Sequence, residues 1–355
     1  FKAVSRKFDV KDLAEEVKNN CKTAKVKEIS KETKTIAPPK LYDLTSLQRD
    51  ANRMFGFTAQ QTLDMLQKLY ETKLVTYPRT DSRYLTEDMG NTALSVINAI
   101  TAATDFEISG EPNVKRVMNN AGVSDHHAII PTVNIKTADL SVLDENSNKL
   151  LHLICARLLA ATASKYGYEI TTVTLSATGC DFTATGKVIK NGGFKDVEKQ
   201  LLTITKSKPA DNEEKEAVLP HISEDIEYPI VPAVIEHETT PPKHFSEDTL
   251  LSAMENAGGS DFVEHCYERK GLGTPATRAS IIETLIKRGY VDRKGKQLIS
   301  TDKGAKVVFS VPEILRSAKM TAEWENELSQ IAKGNADSKA FMHHIENFVK
   351  TIITV

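Results

Sequence analysis

The chain has 355 residues, of which 40% are hydrophobic and 26% are charged, a composition typical of globular rather than disordered proteins. This length exceeds what one hydrophobic core usually serves, so we expect two to four structural units of roughly 100–150 residues each. The formal net charge of −2 excludes a uniformly basic protein, so any nucleic-acid-binding surface must be local and balanced by acidic surface elsewhere.

The start of the chain is predicted to combine a short helix with a strand. Residues 9–14 begin the helix, and alternation of polar and apolar side chains over residues 25–30 indicates the strand. The proline pair at positions 38–39 ends this piece.

Two helices follow, and a capping box is predicted at the start of each. The pattern is a hydroxyl residue with Gln three positions later, and it occurs at Thr45 with Gln48 and at Thr58 with Gln61. Gly56 separates the two helices.

The next part of the chain alternates between helical and β-rich stretches. Apolar spacing and side-chain alternation predict helices over 85–103 and 148–165 and strands over 168–175, 182–189, 226–231 and 233–236. A polar loop is predicted over 206–216, and the chain after the prolines at 241–242 is predicted to be mostly helical.

A tyrosine followed by polar residues stands directly after the second capped helix. Pro78 biases Tyr77 away from helical geometry, so Tyr77 is predicted to lie on a loop or strand. Phenols ionise only near about pH 10, so a nucleophilic tyrosine needs a nearby cation, base or metal. Arg79 would stabilise a phenolate and grip a phosphate. The alternative is structural: a tyrosine packed at a helix end, with Arg79 paired to Asp81.

An adjacent histidine pair, His126 and His127, follows Asp125. Imidazoles beside an acid are suited to proton donation or phosphate contact. The alternative is a loop histidine hydrogen-bonded to Asp125. Metal binding is weakly supported, since adjacent histidines rarely share one ion and no third ligand stands nearby in the sequence.

A glycine-rich loop leads into a helix with basic residues near both ends. Thr274 is predicted as the N-cap and Pro275 as the first helical residue, and residues 290–299 as a hairpin with a Lys-Gly turn. A helix followed by a basic hairpin resembles a winged-helix unit. Lys287 and Arg288, in the last turn, also fit simple compensation of the helix dipole.

The cysteines are scattered. Cys21, Cys155, Cys180 and Cys266 include no C-x-x-C pair, which argues against a zinc site and suits a reducing compartment. The chain has no signal peptide and no apolar stretch long enough to span a bilayer, so we expect a cytoplasmic protein without membrane contact. It begins on Phe1 and ends in an apolar run, and we expect both ends to be cut from a longer protein.

Four segments, taken together and in this order, resemble type IA DNA topoisomerases, and the topoisomerase III branch most closely. They are LTSLQ to GFTA (44–59), TYPRTDSRYL (76–85), SDHHAIIPT (124–132) and GLGTPATRA (271–279). The resemblance runs over nearly the whole chain, and the tyrosine segment is its most specific part.

The resemblance implies an activity and roles for named residues. In this family a tyrosine attacks a single-strand phosphodiester, becomes joined to the 5′ phosphate, and allows another strand to pass before resealing without ATP. By position Tyr77 is the nucleophile and Arg79 stabilises the charged phosphate. His126 matches the histidine near the scissile phosphate, and His127 remains open as the alternative.

The resemblance also implies a groove for single-stranded DNA, where affinity falls steeply with salt. The DNA-binding candidates are Thr277, Arg278, Lys287, Arg288 and Arg83.

The implied fold is a multidomain α+β toroid with three domains. Residues 1–38 and 166–236 would form a β-rich gate or arch domain, residues 39–165 a helical domain carrying the tyrosine, and residues 237–355 part of a mostly helical, winged-helix-like DNA-groove domain.

Family members also carry an N-terminal Toprim domain whose Glu and Asp-x-Asp cluster binds Mg²⁺. No such cluster stands in this sequence, so we expect Mg²⁺ to be bound outside it and the chain alone to be inactive. We further expect a monomer, a helicase partner in the cell and, in a bacterium, association with the nucleoid.

Two other classes of protein compete with this interpretation. A non-catalytic single-stranded-DNA-binding module would keep the 271–290 segment and treat Tyr77 as packing. A tyrosine recombinase fits less well, because that class places its tyrosine near the C-terminus, after its arginine and histidine set.

Overall fold

The structure is a computed structural model that describes residues 1–208, 217–257 and 271–353. Most of the polar loop predicted over 206–216 lies outside the described residues. Residues 258–270 of the predicted groove domain, with Cys266 among them, also lie outside.

Helices and strands occur along the whole described chain. The helices are α1 (Lys11–Asn20), α2 (Leu44–Phe55), α3 (Ala59–Glu71), α4 (Gly90–Ala103), α5 (Glu145–Thr162), α6 (Phe194–Ile204), α7 (Glu247–Asn256), α8 (Pro275–Lys287), α9 (Asp302–Ser310), α10 (Ala318–Ala332) and α11 (Ser338–Ile353). The strands are β1 (Val4–Ser5), β2 (Thr23–Ile36), β3 (Tyr166–Ala177), β4 (Cys180–Asn191), β5 (Glu227–Pro229), β6 (Val291–Lys294) and β7 (Gln297–Ser300).

The chain divides into two compact units. The first contains Phe1–Pro39, Thr104–Arg116 and Leu158–Pro242, and the second contains Lys40–Ala103, Val117–Arg157 and Lys243–Val355. The three-domain assignment made from the family resemblance stays a prediction.

The first unit is built on an antiparallel sheet in the order β1-β4-β3-β2-β5. β2 and β3 pair from Lys25 with Ser176 to Ile36 with Tyr166, which is why the strand predicted over 25–30 extends much further. Alternation places the core on one face, where Val26, Val173, Leu175 and Ala184 are buried.

The strand predictions are confirmed where a neighbouring strand supplies hydrogen bonds. The strands predicted over 168–175 and 182–189 are confirmed as the hairpin β3–β4, and the one over 226–231 as the shorter β5. The strand predicted over 233–236 is wrong, since these residues form no regular element. Ile235 is 55% exposed, so its alternation with polar neighbours does not reflect a buried face.

In the second unit the capping prediction is confirmed for α3 and wrong for α2. Thr58 caps α3 with Gln61, as the pattern indicated. α2 is instead capped by Asp43, whose carboxylate accepts from the Ser46 N–H at 2.7 Å. Asp43, two residues before Thr45, thus takes the cap position, and Thr45 lies buried in the first turn of the helix.

The helices predicted over 85–103 and 148–165 are present with shifted ends. α4 starts later, because residue 85 pairs with Met118 in a β-bridge and a 3₁₀ turn, Glu87–Met89, precedes the helix. α5 starts earlier, because Asp144 caps it: its carboxylate accepts from the Ser147 N–H at 2.9 Å and the Ser147 hydroxyl at 2.6 Å.

Replacing Asp144 with Ala is expected to lower the free energy of unfolding by about 1 kcal/mol, the usual worth of such a cap. Hydrogen bonds from Ser147 lower the pKa of Asp144. The capping contribution is therefore present above the unfolded-state pKa and is lost as pH falls through the folded-state pKa. Chemical denaturation at pH 7 and at pH 3 checks this, with the exposed Asp292→Ala as control; an equal difference at both pH values would contradict it.

The described C-terminal residues are mostly helical and include the predicted hairpin, with its turn one residue later than the predicted Lys-Gly pair. Thr274 precedes α8 as its N-cap, Pro275 is its first residue, and β6 and β7 pair across a turn at Gly295 and Lys296. Gly295 has a φ of 60°, a conformation that two-residue hairpin turns require and that glycine adopts readily.

Cys155 is fully buried, and burial raises the pKa of its thiol. No helix among the described residues combines the length and the apolar character that a membrane crossing requires.

Candidate active site

Tyr77 lies on an extended segment beyond α3, as Pro78 indicated. Val75 forms an antiparallel bridge with Pro131, and the Thr76 N–H donates to the Ile130 carbonyl at 2.9 Å. The segment that carries Tyr77 therefore runs alongside the segment that follows the histidine pair.

This pairing brings Tyr77 and His126 together. Their ring centroids are 4.2 Å apart, with the planes inclined by 35°. The Thr80 hydroxyl donates to the His126 carbonyl at 2.8 Å, which fixes the backbone beneath the imidazole. Tyr77 is half-buried and His126 is exposed, so solvent and ligands reach this ring pair.

His127 has a different environment from His126. It is half-buried, and its Nδ1 donates to the Ala128 carbonyl at 2.8 Å, because a carbonyl oxygen only accepts. Within the described residues neither imidazole is hydrogen-bonded to Asp125. The geometry therefore favours His126 as the partner of Tyr77, while the chemical role of either histidine stays a prediction.

Arg79 is exposed and makes no hydrogen bond or ion pair with any residue in the described ranges. The structural alternative, an Arg79–Asp81 pair, is not formed, and Asp81 instead accepts from the Ser124 hydroxyl at 3.4 Å. An unpaired guanidinium two residues from Tyr77 is free to bind an anion such as phosphate.

Arg83 is held inside the second unit. Its Nε donates to Asp43 at 2.6 Å, and a second nitrogen lies 3.3 Å from Glu255. Burial lowers the pKa of Arg83, but these two carboxylates outweigh burial and raise it overall. The pairs anchor the end of the Tyr77 segment to helices α2 and α7.

Arg278 is also engaged within the protein. It is 5% exposed and donates to the carbonyls of Leu272 and Gly273 and to the Thr45 hydroxyl. Burial lowers its pKa. These contacts hold the glycine loop against α2, so a direct DNA contact by Arg278 or Arg83 stays a prediction.

The other DNA-binding candidates are placed at the surface. Thr277 completes the α8 cap by accepting from the Thr274 N–H at 2.9 Å. Lys287 and Arg288 lie exposed at the opposite end of that helix. The helix length therefore separates Thr277 from the two basic residues by about 15 Å, at about 1.5 Å per residue.

A buried polar network supports the histidine segment and was not predicted. Tyr42 pairs with Ile129 through a backbone bridge, and its hydroxyl donates to Asp50 at 2.7 Å and accepts from Arg157 at 2.8 Å. Burial raises the pKa of Tyr42 well above its ordinary value, so this phenol is unsuited to nucleophilic chemistry.

The Mg²⁺ site that the resemblance implies would need several carboxylate or imidazole ligands close together. In the part of the chain that the structure describes, no three His, Cys, Asp or Glu side chains converge to hold a metal ion. The described residues therefore do not fit a magnesium site of their own.

Comparison with known proteins identifies the class to which this fold and site belong. A sequence model of the DNA topoisomerase family matches residues 1–343, and the chain therefore belongs to that family.

The relatives define the branch more closely. The chain is 40% identical over 346 residues to DNA topoisomerase 3 of Bacillus licheniformis, covering 94% of this chain and 47% of the relative. It is 38% identical over 341 residues to DNA topoisomerase 3 of Bacillus subtilis, covering 92% and 46%. The predicted resemblance to type IA topoisomerase III is thereby confirmed, and the chain spans about half the length of these relatives.

A solved structure confirms the predicted α+β fold class. The full-length topoisomerase I of Thermotoga maritima matches with a TM-score of 0.74 and 24% identity, over 98% of this chain and 55% of that protein. At this identity the likeness concerns the fold alone.

Proposed function

We propose that this chain supplies the nucleophile and the phosphate-binding side chains for ATP-independent cleavage, passage and rejoining of single DNA strands. The Tyr77 oxygen attacks a phosphodiester, a bond forms between that oxygen and the 5′ phosphate, and the bond to the 3′ oxygen breaks. The phenol proton leaves and the 3′ oxygen gains one, giving a 3′ hydroxyl. Rejoining reverses these steps, so the bond energy is conserved.

One observation carries this proposal: the contact between Tyr77 and His126, with the unpaired Arg79 two residues away, in a chain of this family. Arg79 is assigned to the charge on the attacked phosphate, where fixed electrostatic contacts lower barriers most. His126 is assigned to the scissile phosphate beside the tyrosine.

The remaining requirements of the reaction are also proposals. We assign Mg²⁺ binding to a Toprim domain outside this chain, and no step is assigned to the metal here. Single-stranded DNA is the proposed substrate, with Thr277, Lys287 and Arg288 exposed to meet its backbone. A monomeric state, a helicase partner and a cytoplasmic, nucleoid-associated location stay predictions.

The proposal is tested by mixing the chain with a separately supplied Toprim domain, Mg²⁺ and a labelled single-stranded oligonucleotide. We expect a denaturant-resistant protein–DNA adduct with both parts present. With the chain alone we expect no adduct and negligible relaxation of supercoiled plasmid. DNA binding without an adduct in the mixture would favour the non-catalytic binding module. Robust relaxation by the chain alone would contradict the assignment of Mg²⁺ binding to a domain outside this chain.

Exchange of each histidine for Ala in the full-length protein separates the two candidates. His126→Ala is expected to slow single-turnover cleavage roughly 10²-fold, the usual contribution of a positioned acid–base or phosphate-contacting group. His127→Ala is the matched control and should change cleavage by less than about tenfold, since its ring already bonds the Ala128 carbonyl. The reverse order of effects would reassign the role to His127.

A further inference from the structure

We infer that Tyr70 is a positioning residue for the nucleophile, an inference that deepens the proposed function and rests on it. Tyr70 lies in the last turn of α3, and its ring meets the Tyr77 ring edge to face, with centroids 5.6 Å apart and planes at 86°. His126 contacts the same ring at 4.2 Å. Two aromatic side chains therefore hold the Tyr77 ring.

The turn between α3 and Tyr77 creates this contact. It is a Schellman motif, in which the Leu74 N–H donates to the Leu69 carbonyl at 2.9 Å and the Lys73 N–H to the Tyr70 carbonyl at 2.8 Å. Lys73 has a φ of 62°, a left-handed conformation that is disfavoured for a residue with a Cβ atom. The chain therefore reverses at a strained position between Tyr70 and Tyr77.

Hydrogen bonds from the segment after the histidine pair hold this turn in place. The Lys73 carbonyl accepts from the Thr132 hydroxyl at 2.5 Å and from the Asn134 side-chain amide at 3.1 Å. The same segment pairs with Thr76 and leads back to His126. The same hydrogen-bonded backbone segments therefore hold the rings of Tyr70, Tyr77 and His126 in place. These hydrogen bonds also keep Lys73 in its strained conformation.

Core packing does not account for the placement of Tyr70. The core-facing residues of α3 are Leu66 and Leu69, which are 0% and 1% exposed, whereas Tyr70 is 38% exposed. Its contact with Tyr77 instead restricts the directions in which the phenol oxygen points. Displacement of an attacking atom by about 1 Å costs up to about 10²-fold in rate, so partial loss of this restriction should be measurable.

The test compares Tyr70→Leu, Tyr70→Phe and Tyr77→Phe in the full-length protein. Single-turnover cleavage of a labelled oligonucleotide is measured together with its Kd and the thermal midpoint of each variant. We expect Tyr70→Leu to cleave roughly tenfold more slowly with unchanged Kd, and Tyr70→Phe, which keeps the ring, to restore the rate. Leu94→Ala on α4 is the control for loss of a side chain of similar exposure, 39%.

The inference is overturned by a wild-type rate for Tyr70→Leu, by equal defects in Tyr70→Phe and Tyr70→Leu, or by a loss that lies wholly in Kd. If Tyr70→Leu does not fold, Tyr70→Gln removes the ring with a polar side chain at this partly exposed position, and a rate equal to that of Tyr70→Phe overturns the inference. Persistent adducts in Tyr77→Phe would instead overturn the proposed function itself, so the two failures are distinguishable.

Discussion

Tyr77→Phe in the full-length protein is expected to abolish the covalent protein–DNA adduct, lowering its yield by at least roughly 10³-fold. Removal of the attacking atom leaves no route to the intermediate, and losses of this size follow removal of nucleophiles elsewhere. The ring and its contacts with Tyr70 and His126 remain, so the fold and the affinity for single-stranded DNA should be unchanged. Denaturing gel electrophoresis of a labelled oligonucleotide measures the adduct.

Tyr84→Phe provides the matched control, because Tyr84 is a half-buried tyrosine on the same segment, seven residues further along. It should form adducts at the wild-type level. Adducts that persist in Tyr77→Phe, or vanish equally in Tyr84→Phe, would remove Tyr77 from the assigned role.

Arg79→Ala is expected to reduce single-turnover cleavage or rejoining by about 10²–10³-fold, the usual effect of losing one contact to a developing charge in a reaction site. Arg79 is exposed and unpaired within the described residues, so the substitution should change the free energy of unfolding by less than about 0.5 kcal/mol. Arg79→Lys should recover only part of the rate, because an ammonium lacks the bidentate geometry of guanidinium.

The control for Arg79 is Arg316→Ala, another exposed arginine without a partner among the described residues. It should leave cleavage unchanged at the same ionic strength. A similar loss in both variants would mean that general positive charge, rather than the position of Arg79, supports the reaction.

Local patterns predicted those parts of the fold that local forces determine. Thr58 and Gln61 form the predicted cap, the 290–299 hairpin is present, and Tyr77 lies beyond the helix, as Pro78 indicated. Each of these features depends on residues within a few positions of one another. The cap of α2 shows the limit, since Thr45 fits the start signal yet Asp43, which also pairs with Arg83, takes the position.

The site depends on contacts that no local pattern encodes. Tyr77 and His126 are far apart in the sequence, and pairing of the segments around Val75 and Pro131 brings them together. Motif resemblance named both histidines. The ring of His126 contacts Tyr77 and the ring of His127 bonds the Ala128 carbonyl, and the chemical role of each stays a prediction.

The sequence also does not show which of the basic DNA-binding candidates are exposed to solvent. Arg278 lies in the first turn of α8, and Arg288 directly follows the last residue of that helix. Arg278 is buried against the glycine loop, whereas Arg288 is exposed. Arg278 donates hydrogen bonds to the Leu272 and Gly273 carbonyls and to the hydroxyl of Thr45, which lies on α2. Burial of that kind follows from tertiary packing alone.

The most direct test of the central assignment is to identify the residue that becomes bonded to DNA. The full-length protein is trapped on a single-stranded oligonucleotide with Mg²⁺, digested with protease, and the DNA-linked peptide is sequenced by mass spectrometry. We predict a 5′-phosphotyrosine at Tyr77, within the peptide that contains Pro78 and Arg79. A phosphotyrosine at Tyr70 or Tyr84, or a link to the 3′ phosphate, would contradict the account.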